Sequence, residues 1–257
     1  VSDDKTGRVD RGRNHSYLLD GHKVPGVTTI IGNGYPKSAL INWAGNVTAE
    51  YAVDHWDELT TESPSKRIAL LKKCRYIDRD TAANRGTQVH KLAEGLIRGE
   101  TVDVPEDLTG HVDSYLRFLE DWRPDPVLIE ASVFSRKNRY AGTLDLVADL
   151  PTIGHRLLLD IKTNRSGPFG EVALQLAAYR YADFFIDDDL TEHPMPEVEG
   201  CGVIWVRSDG YDLVPVTADQ SQYRSFLYVA QVAQFSDAAR DLIGDALTPP
   251  RLQQESA

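Results

Sequence analysis

Two acids and a lysine lie on short apolar runs near the middle of the chain. Asp145 ends Ala141-Gly142-Thr143-Leu144-Asp145, and Asp160 and Lys162 sit within Leu157-Leu158-Leu159-Asp160-Ile161-Lys162-Thr163. Both runs read as strands, on which side chains alternate, so Asp160 and Lys162 share a face, as do Thr143, Asp145 and Val147. Burying Asp160 and Lys162 without partners would cost several kcal/mol each. A shared divalent cation and mutual pairing remove that cost. Carboxylate oxygens suit Mg2+ or Mn2+. Such an ion polarises a phosphoryl oxygen and lowers the pKa of a bound water. Lys162 would orient that water or stabilise developing negative charge. Hydrolysis of a phosphodiester is the reaction this set suits. The plainer reading is a salt bridge at a sheet end, and for an isolated Asp-x-Lys tripeptide it suffices.

Gln175 and Tyr179 follow on a helical pattern, spaced i and i+4 so that both project from one face. There they would hydrogen-bond the lysine, a ligand carboxylate or a DNA phosphate; otherwise Tyr179 simply packs. Arg136, Lys137 and Arg139 form a basic turn before Asp145, and Arg165 continues Lys162. Such a tip would grip backbone phosphates without reading sequence, or serve as an ordinary solvated turn. Tyr35, Trp43 and Tyr140 offer rings on which splayed bases stack, although Trp43, on an apolar helical face, reads as core. Asp187-Asp188-Asp189 reads as a solvated loop ending a helix rather than a metal cluster.

The elements that must position these groups follow from hydrophobic period and breakers. The first fourteen residues are polar and read as loose. Tyr17 to Val24 reads as a hairpin around Asp20-Gly21. Val27 to Ile31 opens a short helix from a threonine cap, and Ser38 caps a longer one through Trp43, Val47 and Tyr51. Residues 65–77 and 79–98 read as two helices, and Asp107 to Trp122 as another. Val127 to Phe134, Tyr140 to Leu150 and His155 to Thr163 read as three strands. Phe169 to Ile186 reads as a helix. Gly202 to Arg207 and Tyr211 to Val216 are strands about Asp209-Gly210, and Ala218 to Ala246 is a closing helix. The expected fold is α/β: a central mixed sheet flanked by helices with a helical N-terminal layer. The whole of 1–257 reads as one domain: 15–122 mainly helical, 123–217 the sheet core, 218–246 the last helix, 247–257 a frayed tail.

The chain has 257 residues, enough for an adequate core. Its net charge of −11 opposes a nucleic-acid partner at long range, but a local groove of cations or bound metal can offset that. Two distant cysteines, Cys74 and Cys201, build neither a zinc ribbon nor a four-cysteine cluster. No apolar run spans a bilayer and the first residues carry no apolar signal core, so a cytoplasmic protein without membrane association is expected.

Gly142-Thr-Leu-Asp145, Asp160-Ile-Lys162 and Gln175-x-x-x-Tyr179 resemble the PD-(D/E)XK nuclease superfamily, and within it the RecB-like and phage-type exonucleases. Arg85-Gly86-Thr87-x-x-His90-x-x-x-Glu94 resembles the family's histidine motif. More loosely, Val27 to Ile31 and Pro36 to Trp43 resemble the start of phage exonucleases. The resemblance implies a restriction-endonuclease-like core and a divalent-metal-dependent DNA exonuclease of recombination or DNA processing. It implies His90, Asp145, Asp160 and the Ile161 carbonyl as metal ligands, and Lys162 as the catalytic lysine. Gln175 and Tyr179 would line the site. Glu130 stands where relatives often carry an acid near the metal, or else on an exposed strand face. Glu94, one turn beyond His90, would orient it or be a solvated carboxylate. Implied partners are DNA and a recombination or single-strand-annealing protein. A homo-oligomeric ring is one route to processivity, and a phage-encoded enzyme would act in host cytoplasm. The rivals are a structure-specific endonuclease and a non-catalytic DNA-end-binding module.

Overall fold

A computed structural model describes residues 5–11, 14–36 and 38–247, the side chains of 11, 14, 38–40, 78 and 240 aside. The expected tail from 248, Lys37 and the ends of the loose N-terminal segment lie outside the described residues. The strands are β1 (Gly7–Arg11), β2 (Asn14–Leu19), β3 (His22–Val24), β4 (Asp125–Ile129), β5 (Ser132–Ser135), β6 (Tyr140–Thr143) and β7 (Leu146–Leu150). They continue with β8 (His155–Lys162), β9 (Phe184–Ile186), β10 (Glu192–Pro194), β11 (Gly200–Val206) and β12 (Tyr211–Val216). The helices are α1 (Val27–Gly34), α2 (Ser38–Asp54), α3 (Trp56–Thr61), α4 (Pro64–Ile97), α5 (Thr109–Trp122), α6 (Val172–Arg180) and α7 (Gln220–Ala238). No helix among the described residues is long and apolar enough to cross a membrane.

The architecture is mixed α/β, and a five-stranded mixed sheet runs in the order β12-β11-β8-β7-β4. Only β8 and β11 are parallel, and α6 lies between them in the chain, as a parallel connection requires. Alternation along these strands sorts the core. Leu146, Ala148, Leu159, Ile161 and Ile204 pack toward Val89, Tyr115 and Phe118 of α4 and α5. Val147, Leu158 and Val203 pack toward α1, α6 and α7. Asp160 and Lys162 have the parity of Leu158, which turns both toward α6.

Two expected strands are each broken in two, and both breaks occur at the same level. Val127–Phe134 divides at Glu130, whose φ of 49° is a left-handed value no strand residue adopts. Tyr140–Leu150 divides at Leu144 and Asp145. The outer halves, β5 and β6, join β9 and β10 in a second sheet, while β4 and β7 stay in the first. Two bonds stitch the breaks: the Glu130 N–H donates to the Asp145 carbonyl at 2.9 Å, and the Leu144 N–H to the Ala131 carbonyl at 3.0 Å. The alternation expected for Thr143, Asp145 and Val147 therefore fails, because Asp145 sits in the bend between sheets.

Other boundaries also move. The expected loose N-terminus contains β1, antiparallel to β2. The hairpin at Asp20-Gly21 is present, with φ of 50° and 75° as its tight turn needs. The N-cap of α1 is Gly26, not a threonine, and no side chain caps it. Two helices expected over 65–98 are one, of 34 residues. The helix expected over Phe169–Ile186 is only α6, and its second half is strand β9, paired with β5 and β10. Asp187 thus follows a strand. The closing helix ends at Ala238, and Asp219 opens it in a capping box with Gln222.

Candidate metal centre

The break between sheets gathers the chemistry. One ligand atom each of His90, Glu130 and Asp145 lie within 4.8 Å of one another. His90 comes from α4, whose neighbours Val89 and Ala93 are buried against the sheet. Its Nδ1 stands 3.4 Å from Asp145 Oδ1. The other Asp145 oxygen accepts the Ile161 N–H at 2.7 Å. Ile161 thus reaches the site through its amide, and this bond ties Asp145 to the strand carrying Asp160 and Lys162.

Asp160 is only 2% exposed. Its Oδ1 accepts from Gln175 Nε2 at 2.7 Å. Its Oδ2 has the Lys162 ammonium at 2.6 Å but no hydrogen bond of sound geometry. Gln175 Oε1 accepts from Lys162 Nζ at 3.5 Å, and its amide donates to the Tyr179 hydroxyl at 3.4 Å. The i, i+4 pair on α6 therefore does face the acid and the lysine. Gly142 makes room for it: a Cβ there would lie 2.5 Å from Tyr179 Cε1.

The groups shape one another's charge. Burial pushes Glu130 up to about 7, reinforced by the neighbouring Asp145 charge. Burial likewise pushes Asp160 up to about 6, against the pull of Lys162. Burial would lower His90, but the Asp145 carboxylate overrides it and raises the imidazole to about 9. Burial would raise Asp145, yet His90, Lys162 and the Ile161 N–H together hold it below the usual carboxylate range. Lys162 is raised, because the Asp160 and Asp145 charges outweigh its burial. A crowded row of buried acids of this kind is what a multivalent cation stabilises.

The donor set fits a hard divalent ion. Three carboxylates and an imidazole offer oxygen-rich ligation suited to Mg2+ or Mn2+, and ligand atoms of three of the four groups already lie within 4.8 Å of one another. Glu130 belongs to the tight cluster with His90 and Asp145, whereas Asp160 is engaged by Lys162 and Gln175. Glu94 does not bond His90. Its carboxylate pairs with Arg98 at 3.2 Å, within the helix.

A cleft of about 380 Å³ opens beside the lysine, walled by Thr28, Gly86, His90, Lys162, Phe169 and Gln175. The loop after β8 forms its rim. The Trp205 indole N–H donates to the Asn164 carbonyl at 2.8 Å and pins that loop. Arg165 is exposed on it.

The basic turn lies elsewhere. Residues 136–139 close the β5–β6 hairpin at the end away from Glu130 and Asp145, roughly 15 Å along the strands. Arg136 is also committed. It pairs with Asp20 at 3.0 Å and Glu192 at 2.7 Å and lies over the Phe184 ring. The expected phosphate contact at Arg136 is thus replaced by a clamp joining the β2–β3 turn to β10. Lys137 and Arg139 are exposed on the same distant turn. Tyr140 cannot stack on a base, being 1% exposed with its hydroxyl donating to the Ala178 carbonyl at 2.8 Å. Trp43 is half-buried.

Sequence reasoning missed Arg8. Its guanidinium reaches Thr143 Oγ1 at 3.4 Å across 135 positions, and its charge acts on Glu130. No local pattern marks it, because β1 is polar and forms by pairing with β2.

Compared with family models and with curated proteins, the chain matches none of either.

Proposed function

We propose that the chain is a divalent-metal-dependent deoxyribonuclease that hydrolyses DNA from linear ends, an exonuclease of recombination or DNA processing. The observation that carries this reading is the convergence of His90, Glu130 and Asp145 beside a buried Asp160 paired with Lys162 at 2.6 Å. The resemblance of the motifs that carry these residues to those of PD-(D/E)XK nucleases supports the same reading.

His90, Glu130, Asp145 and Asp160 would hold Mg2+ or Mn2+. When bound, the ion supplies Lewis acidity toward the scissile phosphate and toward an attacking water. The residues do the rest. Asp160 holds the Lys162 ammonium over the cleft, where it stabilises charge on the phosphate oxygens. Gln175 fixes both partners, bonding the carboxylate with its amide and facing the lysine with its carbonyl. Tyr179 backs Gln175 and is kept neutral, since burial raises its hydroxyl well above the usual range.

A timed digestion tests the reading. A linear duplex labelled separately at each 5′ and 3′ end, and a closed circle, are incubated with Mg2+, Mn2+ or a chelator. The expected result is metal-dependent loss of label from the linear DNA with the circle intact. A nicked circle would make the enzyme an endonuclease. Binding without cleavage under either metal would make it an end-binding module.

A further inference from the structure

Two cations flank the acid row, and only Lys162 has a role so far. Lys162 Nζ lies 2.6 Å from Asp160 Oδ2, whereas Arg8 reaches Thr143, two residues before Asp145. Arg8 arrives on β1, whose register places it opposite Tyr17 of β2. Tyr17 is buried, and its hydroxyl lies 2.9 Å from Thr143 Oγ1. The same Thr143 hydroxyl accepts from the Arg8 guanidinium at 3.4 Å. Thr143 is the last residue of β6, two before Asp145, so the small N-terminal sheet is anchored at the edge of the metal centre.

Among the described residues the other polar partner of Arg8 is Asp10, at 2.9 Å from Nε, and the Asp10 side chain is 66% exposed. A solvated pair of this kind contributes little, about 0–1 kcal/mol, so a phosphate can displace the carboxylate. A guanidinium matches phosphate oxygens with paired N–H donors. In a chain of net charge −11, a cation set beside the acids is needed to hold a polyanion there.

We propose that Arg8, positioned by Thr143, binds a backbone phosphate of the nucleic-acid strand adjacent to the one being cleaved. This rests on the nuclease reading above. A strand crossing the centre would have Lys162 at one phosphate and Arg8 at the next. Arg8 thereby sets affinity and register without reading bases.

The test is the salt dependence of binding to a mixed-sequence single-stranded oligonucleotide. It is measured in Ca2+ with the full chain carrying Asp160→Asn, so that no turnover intrudes. Adding Arg8→Gln should weaken binding roughly tenfold and reduce the slope of log K against log salt by about 0.7, one phosphate contact. Arg8→Lys should restore the slope. Asp10→Asn breaks the same surface pair but frees the arginine, so binding should be no weaker than in the parent. An unchanged slope in Arg8→Gln, or Asp10→Asn behaving like Arg8→Gln, would overturn the proposal and leave the nuclease reading standing. A parent that binds no oligonucleotide, with a wild-type chain that cuts none, would overturn both.

Discussion

Changing Asp160 to Asn is expected to lower DNA cleavage by roughly a thousandfold, the scale seen when a single preorganised charge contact is lost. The fold should be retained. Asparagine keeps the shape and can still accept from Gln175 through the oxygen that now does so at 2.7 Å. What it loses is the negative charge that holds Lys162 at 2.6 Å and faces the metal. Lys162 has a side chain 31% exposed, so its ammonium can turn toward the cleft and water once the carboxylate charge is gone. End-labelled digestion in Mg2+, beside a thermal melt, reads both quantities. Near-normal cleavage by a folded Asp160→Asn protein would remove the basis of the assignment.

The second large effect is structural with a catalytic consequence. A valine at Gly142 should destabilise the protein by about 3 kcal/mol, as overpacked cores do. For a chain of this size that lowers the melting temperature by roughly 6–12 °C. Its Cβ would meet Tyr179 Cε1 at 2.5 Å and Val27 Cγ2 at 3.3 Å. Tyr179 is 3% exposed and has no solvent route to yield along. Relief comes only by pushing α6 outward, which draws Gln175 from Asp160 and slows cleavage. Gly86 makes the comparison, since its nearest neighbour to an added Cβ is Thr163 Oγ1 at 3.5 Å. Gly86→Ala should therefore fold normally and gain up to about 1 kcal/mol of helix propensity. If Gly142→Val melted like the parent, the close packing of α6 on β6 would be wrong.

The sheet core was legible because its strands are short apolar runs punctuated by turn residues. Leu157 to Lys162 and Gly202 to Val206 could read as little else. The pairing of Asp160 with Lys162 and the orientation of Gln175 followed from periods of two and of four. The strand breaks were not legible. Glu130 and Asp145 interrupt runs that look continuous, because what bends the chain there is a tertiary event, the parting of two sheets. That same event makes Glu130 a partner of His90. Arg8 was hidden for another reason: Gly7 to Arg11 is polar, and its strand exists through pairing with β2 rather than through its own pattern. The basic turn misled in the opposite direction. Arg136 looks free in sequence because its partners, Asp20 and Glu192, lie 116 and 56 positions away. The single helix over 64–97 was split in reading because local pattern cannot register a continuous backbone ladder across Tyr76 to Arg79.

Diffraction from crystals grown with Mn2+, recorded at the manganese absorption edge, tests the metal centre without relying on turnover. The account expects an anomalous peak among His90, Glu130 and Asp145, at ligand distances of about 2.0–2.3 Å, and its disappearance in Asp145→Ala crystals. Well-ordered crystals showing those side chains closed on one another with no such peak at saturating Mn2+ would contradict it.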